Sequence, residues 1–273
     1  MMIPVGQLLN WFSARLAIAA LLCLLVTAQP AEAINITVTP SSGSDADLAG
    51  AMNVAAQVWE HHILDDHNVT VYFLWDDTLD ANIAAQTNSF TVGQDPDPAP
   101  ERPVQATIRF NPDLGWFNDP TPADNSEFGS LQTSEQDLGG GAMNTGRYMT
   151  GGPAGLDLVT IAMHEMAHAL GFDATIDGFI DDAGDGDIDL TAPRPYVGAE
   201  LPLSSGAHLN LPNALLRSSA LAATRMFPTH ADVLAVAESA KYTDLNLGPV
   251  PEPASLAMFA LVAVALRHRR SVR

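Results

Sequence analysis

Cysteine is almost absent from this sequence, since only Cys23 among its 273 residues carries a thiol. Cys23 lies in an apolar stretch, residues 16–26, between the basic Arg15 and the small-x-small tripeptide at 31–33, a pattern typical of a signal peptide. We therefore predict a signal peptide over residues 1–33. Its removal would leave a chain with no disulfide, no cysteine-ligated zinc and no cysteine nucleophile.

Positive charge is also scarce. The chain has 12 Lys and Arg against 32 Asp and Glu, which gives a formal net charge of -20 at pH 7. Such a surface repels nucleic acid and anionic membranes, so we expect no nucleic-acid partner. Residues 34–248 are numerous enough to form one domain with a proper hydrophobic core.

Long apolar runs are missing as well, because the longest run near the C-terminus, residues 254–266, is short for a transmembrane helix. It follows Pro251-Glu252-Pro253 and precedes a basic cluster at 267–270. This order resembles the bacterial PEP-CTERM sorting signal, over residues 249–273. The resemblance implies recognition by an exosortase-type sorting enzyme and a destination at the cell surface or in the extracellular matrix. An ordinary tail anchor with a transmembrane helix is the alternative.

The hydrophobic pattern of the remaining chain predicts an α+β domain. Apolar residues recur at three- and four-residue steps over 45–62, which indicates an amphipathic helix. Residues 69–75 and 105–110 are rich in β-branched and aromatic side chains and predict strands. Residues 111–154 hold many Gly, Asn, Asp and Pro, so we predict a loop with short strands at most. A second helix is predicted from 156 to the helix-ending Gly171.

The second helix contains the motif H-E-x-x-H, in which His164 and His168 stand one helical turn apart. Positions i and i+4 share a helix face, so both imidazoles can reach one metal ion. Glu165 then lies beside the metal and can act as a general base towards water. The alternative is a chance pattern, but two histidines and a glutamate in a buried helix are costly without a partner.

A catalytic zinc ion needs three protein ligands and one open position. In the extended metzincin motif the third histidine stands three residues after the glycine, where this chain has Ala174. Asp173 stands one position early. His208, in a downstream segment of small residues, is the better candidate for the third ligand.

The order of this motif, a long insertion, His208 and then Met226-Phe227-Pro228 resembles the metzincin zinc proteases, in particular a leishmanolysin-like arrangement found in exported bacterial metalloproteases. The resemblance implies a zincin/metzincin-like α+β fold, with a twisted mixed sheet and packed helices in an upper subdomain (34–171). It also implies a smaller lower subdomain (172–248) and a cleft between the two.

The same resemblance implies the site residues and the activity. His164, His168 and His208 would hold zinc, Glu165 would be the catalytic base, and Met226 would form the Met-turn. The expected activity is zinc-dependent endopeptidase, with a protein or peptide substrate added along the edge of the sheet. The alternative, suggested by the missing histidine at 174, is a non-catalytic surface or matrix protein on a metal-binding protease scaffold.

Two further groups of residues suggest binding. His61, His62 and His67 could bind a second metal, but we predict that they face solvent near a helix C-terminus. Residues 181–189 contain closely spaced aspartates that could bind calcium. They lack the glycine and glutamate of an EF-hand loop, so we predict a solvated acidic loop, with calcium as the alternative.

His230 could donate a hydrogen bond to a reaction intermediate.

Overall fold

The structure is a computed structural model that describes residues 33–93 and 102–250. These residues form a mixed α+β fold. Eleven strands are described: β1 Asn35–Pro40, β2 Asn68–Trp75, β3 Ala85–Gly93, β4 Arg102–Phe110, β5 Trp116–Phe117, β6 Leu131–Asp137, β7 Ala142–Thr150, β8 Leu156–Asp157, β9 Asp187–Asp189, β10 Glu200–Pro202 and β11 Thr224–Met226. The four described α-helices are α1 Ala46–His62, α2 Leu158–Ala169, α3 Asp177–Asp182 and α4 His230–Ser239.

The central sheet has four strands in the order β1-β2-β4-β3. Strands β1, β2 and β4 are parallel, whereas β3 pairs antiparallel with β4 and forms one edge. Helix α1 connects β1 to β2, as a parallel connection requires. Alternate side chains of the two inner strands are buried, namely Val69, Val71, Phe73, Ala106, Ile108 and Phe110. This alternation directs one face of the sheet towards the core.

Helix α1 confirms the predicted amphipathic helix. Asp45 caps it, because its side chain accepts a hydrogen bond from the backbone N–H of Leu48 at 2.9 Å, a contact that stabilises a helix by about 1 kcal/mol. The buried Trp59 donates from its indole Nε1 to the carbonyl oxygen of Met163 in α2 at 2.9 Å. That bond fixes the two long helices against each other.

The prediction of a loop with at most short strands over 111–154 is only partly right, because β6 and β7, of 7 and 9 residues, form an antiparallel hairpin there. Strand β7 also pairs with β11, which completes a second, three-stranded sheet. Most side chains of β6 are polar and exposed, so this strand lacks the apolar alternation on which a sequence-based prediction depends. Backbone hydrogen bonds to β7 hold β6 in place, and these bonds leave no pattern in the sequence of β6 itself.

The C-terminal part of the described chain pairs with elements from earlier in the sequence. Strand β11 pairs with β7, and Ile63 at the end of α1 forms a β-bridge with Leu245. Helix α4 ends at Ser239. Lys241 adopts a left-handed backbone with φ of 55°, which ends the helix, and the Tyr242 ring is buried in the core.

Three of the predicted segments lie outside the described residues. They are almost the whole signal peptide, nearly all of the sorting segment with its apolar run, and most of residues 95–103, whose proline content predicts a surface linker. Strand β4 already begins at Arg102, inside the stretch that the proline content marks as a linker. Among residues 33–93 and 102–250, no helix is long and apolar enough to cross a membrane.

Candidate metal centre

Helix α2 is fixed at both ends by its own sequence. At the N-terminus the Asp157 side chain accepts from the N–H of Thr160 at 3.1 Å. At the C-terminus Gly171 has φ of +114°, and the N–H groups of Gly171 and Phe172 donate to the carbonyls of His168 and Ala167. This is a Schellman motif, which favours glycine at the left-handed position. A Cβ at Gly171 would also stand 2.8 Å from the Cβ of Ala240.

The two histidines of α2 face each other. Their Nε2 atoms are 3.1 Å apart. The Nδ1 of His164 lies 2.8 Å from the carbonyl oxygen of Leu215, and the Nδ1 of His168 lies 2.6 Å from that of Phe172. A carbonyl oxygen only accepts, so each Nδ1 carries the proton and each Nε2 presents a lone pair. The Schellman turn supplies the carbonyl that orients His168.

His208 joins this pair although it stands 40 positions after His168 in the sequence. The ligand atoms of the three histidines all lie within 4.8 Å of one another. The Nδ1 of His208 lies 3.1 Å from the carbonyl oxygen of Ser205, which again leaves Nε2 available. Asp173 does not belong to this group, because its carboxylate accepts from the N–H and Oγ1 of Thr175. Ala174 is exposed.

The electrostatics of the three histidines suit a cation. Burial lowers the pKa of His164 and of His208, and it lowers the pKa of His168 to about 4, so all three imidazoles are neutral at pH 7. Neutral lone pairs that converge in this way repel each other, and a metal ion relieves the repulsion. Two nitrogens bound tetrahedrally at about 2.0 to 2.1 Å would be about 3.3 Å apart, close to the distance observed. The residues therefore fit a zinc ion with three protein ligands.

Glu165 is buried beside the histidines. Its Oε2 accepts a hydrogen bond from Thr87 Oγ1 at 2.9 Å, and the same hydroxyl lies 2.9 Å from the Glu165 carbonyl oxygen. Thr87 belongs to the edge strand β3, so this contact joins the motif to the sheet edge. Burial raises the pKa of Glu165 above its ordinary value. A carboxylate of raised pKa is better suited to accept a proton near neutral pH.

The histidines open into a cleft with a volume of about 550 Å³. Residues 81–85, which lead into β3, form one wall, and residues 217–220 form another. Met226 also lines the cleft, together with His164, Glu165 and His208. The residue predicted for the Met-turn thus lies at the same cavity as the predicted ligands, whereas His168 lies behind them in the buried part of the centre.

A buried ion-pair network holds Met226 in place. The guanidinium of Arg225 contacts the carboxylates of Asp157 and Asp119, each at 2.8 Å. The N–H of Met226 donates to Thr160 Oγ1 at 2.9 Å. Strand β11 is therefore fastened to the first turn of α2. Removing one partner of such a buried pair costs about 3 to 5 kcal/mol, because the other charge stays buried alone.

Asp232 is a residue of the centre that the sequence did not point to. Its buried carboxylate accepts from the N–H groups of Leu215 and Leu216 at 3.1 and 2.8 Å, and from the N–H and Oγ1 of Thr229. The carbonyl of Leu215 is the acceptor for His164. Thr229-x-x-Asp232 could have been read as a capping box, but the link to Leu215 spans 17 residues and has no sequence signal.

The prediction of solvent-facing histidines at the end of α1 is wrong. His62 is buried, and its Nδ1 lies 2.7 Å from the carbonyl oxygen of Asn246. His61 and His67 are half-buried. The Nε2 of His61 lies 3.0 Å from Asn246 Nδ2, and the Nε2 of His67 lies 2.6 Å from the Pro103 carbonyl oxygen.

His230 does not line the cleft, and its Nδ1 lies 3.0 Å from the Tyr196 hydroxyl. It lines a different cavity of about 240 Å³.

The acidic segment is more structured than predicted. Residues 181–189 comprise the end of α3, a short 3-10 helix and strand β9, which pairs with β10. Carboxylate oxygens of Asp185, Asp187 and Asp189 lie within 4.8 Å of one another. These side chains are exposed or half-exposed, and such groups are common without a metal, so calcium remains the alternative and the solvated loop the prediction.

Residues 249–270 match the PEP-CTERM protein-sorting motif. The match includes the Pro-Glu-Pro tripeptide, the apolar run and the arginine cluster, so this part of the sequence-based prediction is confirmed. The PEP-CTERM motif marks an exported protein that is sorted to the cell surface, and it implies recognition by an exosortase-type sorting enzyme. No curated protein matches the sequence.

Proposed function

We propose that this protein is an exported, metzincin-like zinc endopeptidase. The observation that carries the proposal is the convergence of three imidazole Nε2 lone pairs, each ring held through Nδ1 by a backbone carbonyl, beside a buried glutamate in an open cleft. Such outer hydrogen bonds fix the tautomer and orientation of metal-ligating histidines. His164, His168 and His208 are the proposed ligands of zinc.

Each proposed residue has a physical role. When bound, zinc supplies Lewis acidity and lowers the pKa of a water molecule to about 7. Glu165 is the proposed base that takes a proton from the attacking water and passes it to the leaving amine. Thr87 orients the Glu165 carboxylate through its hydroxyl. Met226 lines the cleft and is the proposed Met-turn residue.

The edge strand supports a peptide as substrate. Strand β3 pairs with β4 on one side, and its other side pairs with no described strand. Its first residue, Ala85, lines the cleft that contains His164 and Glu165. An extended peptide can add to such an edge through backbone hydrogen bonds, which places a peptide bond next to the metal centre. Because an edge strand does not require a chain terminus, we favour endopeptidase activity.

The test is hydrolysis of unfolded protein by the purified protein with zinc, with a chelator, and with Glu165→Gln. Cleavage should require zinc, and Glu165→Gln should retain zinc but lose about 10²- to 10⁴-fold in rate, the usual contribution of a general base. Glu60→Gln is the matched control, because Glu60 lies on α1 and accepts from the N–H of Ile36 outside the cleft. It should cleave like the wild type.

Undiminished turnover in Glu165→Gln would refute the mechanism. Bound zinc without cleavage of any tested protein or peptide would favour the alternative, a non-catalytic surface or matrix protein on a metal-binding scaffold.

A further inference from the structure

Most positive charges in the part of this acidic protein that the structure describes are paired with carboxylates. Residues 33–93 and 102–250 contain seven Lys and Arg. Five of these form ion pairs within the body, and they are Arg102, Arg109, Arg194, Arg225 and Lys241. Arg147 stacks over the ring of Phe227. Arg217 is different, because it lines the cleft and has no carboxylate partner among the described residues.

The Arg217 side chain is held in position by neutral acceptors. One terminal nitrogen, Nη1, donates to the carbonyl oxygen of Pro212 at 2.7 Å, and Nη2 donates to the Ser219 hydroxyl at 3.1 Å. A guanidinium has five N–H donors, so three remain for a ligand. The residue is half-buried, which reduces the screening of its charge by water.

The surroundings of Arg217 offer no competing charge. Among the residues that line the cleft, Glu165 is the only carboxylate, and it already accepts from Thr87. The remaining lining residues of that wall are small or polar, namely Ser218, Ser219 and Ala220. An unneutralised guanidinium in a cavity of this size is complementary to a carboxylate, which it can bind through paired hydrogen bonds.

We propose that Arg217 selects peptide substrates that place a carboxylate next to the scissile bond. This inference rests on the proposed peptidase function and names the substrate class. The strongly negative net charge of the protein repels polyacidic chains, so the preferred substrate has a single carboxylate in an otherwise neutral or apolar sequence. The carboxylate is either an Asp or Glu side chain or the C-terminus of a short peptide.

The experiment compares matched peptides with the wild type and with Arg217→Gln. The peptides differ at one position beside the cleavage site, which is Glu, Gln or Lys, and each is made with a free and with an amidated C-terminus. The wild type should cleave the Glu peptide about fivefold faster, in kcat/KM, than the Gln peptide, as expected for one partly exposed ion pair. Arg217→Gln should remove the difference, and Arg217→Glu should reverse it in favour of Lys.

Lys241→Gln is the matched control, because it removes the same charge outside the cleft and should keep the preference of the wild type. A preference that follows the free C-terminus instead of the Glu side chain assigns the carboxylate to the end of the peptide. Equal cleavage of the Glu, Gln and amidated peptides by the wild type would overturn the inference, and so would a preference that survives in Arg217→Gln.

A binding measurement separates this inference from the proposed function. Fluorescence anisotropy gives the Kd of each labelled peptide for zinc-loaded Glu165→Gln, with and without Arg217→Gln, and needs no turnover. Tighter binding of the carboxylate peptide that depends on Arg217 supports the inference even if no peptide is cleaved. Chelator-sensitive cleavage with no dependence on the carboxylate would overturn the inference and leave the peptidase intact.

Discussion

Two groups of three histidines in this protein differ in what their ring nitrogens do. In the group His164, His168 and His208 each Nδ1 meets a backbone carbonyl and the Nε2 atoms converge. At the end of α1 the ring nitrogens point to separate partners, which are a backbone carbonyl or side-chain amide of Asn246 and the carbonyl of Pro103. The three histidines that are close in sequence thus share no candidate centre, whereas His208, which is distant in sequence, joins one with His164 and His168.

The comparison indicates that convergence of unpaired lone pairs is a better criterion for a candidate metal centre than the density of histidines is. Three residues of the α1 group lie within seven positions of the chain. They serve the fold instead. Asn246 contacts His61 and His62 and so fastens the C-terminal segment to α1, and His67 contacts the backbone carbonyl of Pro103. Measurements of zinc content, zinc affinity and stability towards urea can each test whether the two groups of histidines differ in this way.

The largest expected effect is the loss of zinc when a converging histidine is removed. His208→Ala should lower zinc affinity by more than about 100-fold, as His164→Ala should, because changes in the outer shell alone cost about 10- to 100-fold. His61→Ala should keep one zinc per chain. Metal analysis after gel filtration measures both. Full zinc content in His208→Ala would move the third ligand elsewhere, with Asp173 as the first candidate.

A smaller loss of zinc affinity is expected when Asp232 is changed, because Asp232 holds the turn whose Leu215 carbonyl orients His164. In the wild type both carboxylate oxygens of Asp232 accept hydrogen bonds, from the N–H groups of Leu215 and Leu216. Asp232→Asn leaves only one accepting oxygen, so the turn at Leu215 and its carbonyl should shift. We expect about tenfold weaker zinc binding in a competition titration.

Glu238→Gln is the control for Asp232→Asn, because Glu238 is also a buried carboxylate of α4 but pairs with Arg194 away from the cleft. It should lower stability towards urea without changing zinc affinity. If Asp232→Asn behaves in the same way, Asp232 supports the fold and not the centre.

The smallest expected effect is the contribution of His62, at the end of α1, to the pH dependence of the free energy of unfolding. Burial lowers the pKa of His62 to about 4, whereas an unfolded histidine titrates near pH 6.5. Between pH 6.5 and 4 the unfolded chain therefore binds a proton at this position that the folded chain does not. The free energy of unfolding should fall with decreasing pH, by at most about 1.4 kcal/mol per pH unit from this residue.

Urea unfolding of the zinc-loaded protein at pH 7, 6 and 5 tests this expectation. His62→Gln should be less stable at pH 7, yet its stability should decline less steeply towards pH 5. Equal slopes for the variant and the wild type would mean that His62 does not contribute to acid destabilisation.

The parts of the site that the sequence predicted are those with local causes. The i, i+4 spacing places His164 and His168 on one helix face, and Gly171 with its positive φ ends that helix. The amphipathic spacing of α1 likewise predicted its extent. The PEP-CTERM motif is contiguous in sequence and was recognised directly.

The remaining features depend on contacts between distant residues. The hairpin of β6 and β7 was missed because backbone pairing with β11 and not apolar alternation holds it. His62 was expected in solvent because nothing nearby in sequence shows that Asn246 covers it.

The sequence by itself therefore determined helix α2 with its two histidines and the adjacent glutamate, and also the sorting motif, because helix periodicity, caps and short motifs act over a few residues. Only the tertiary structure decided that His208 reaches the pair, that Asp232 supports it and that Arg217 faces the cleft without a carboxylate. These contacts join segments tens of residues apart, and packing of the whole core sets them.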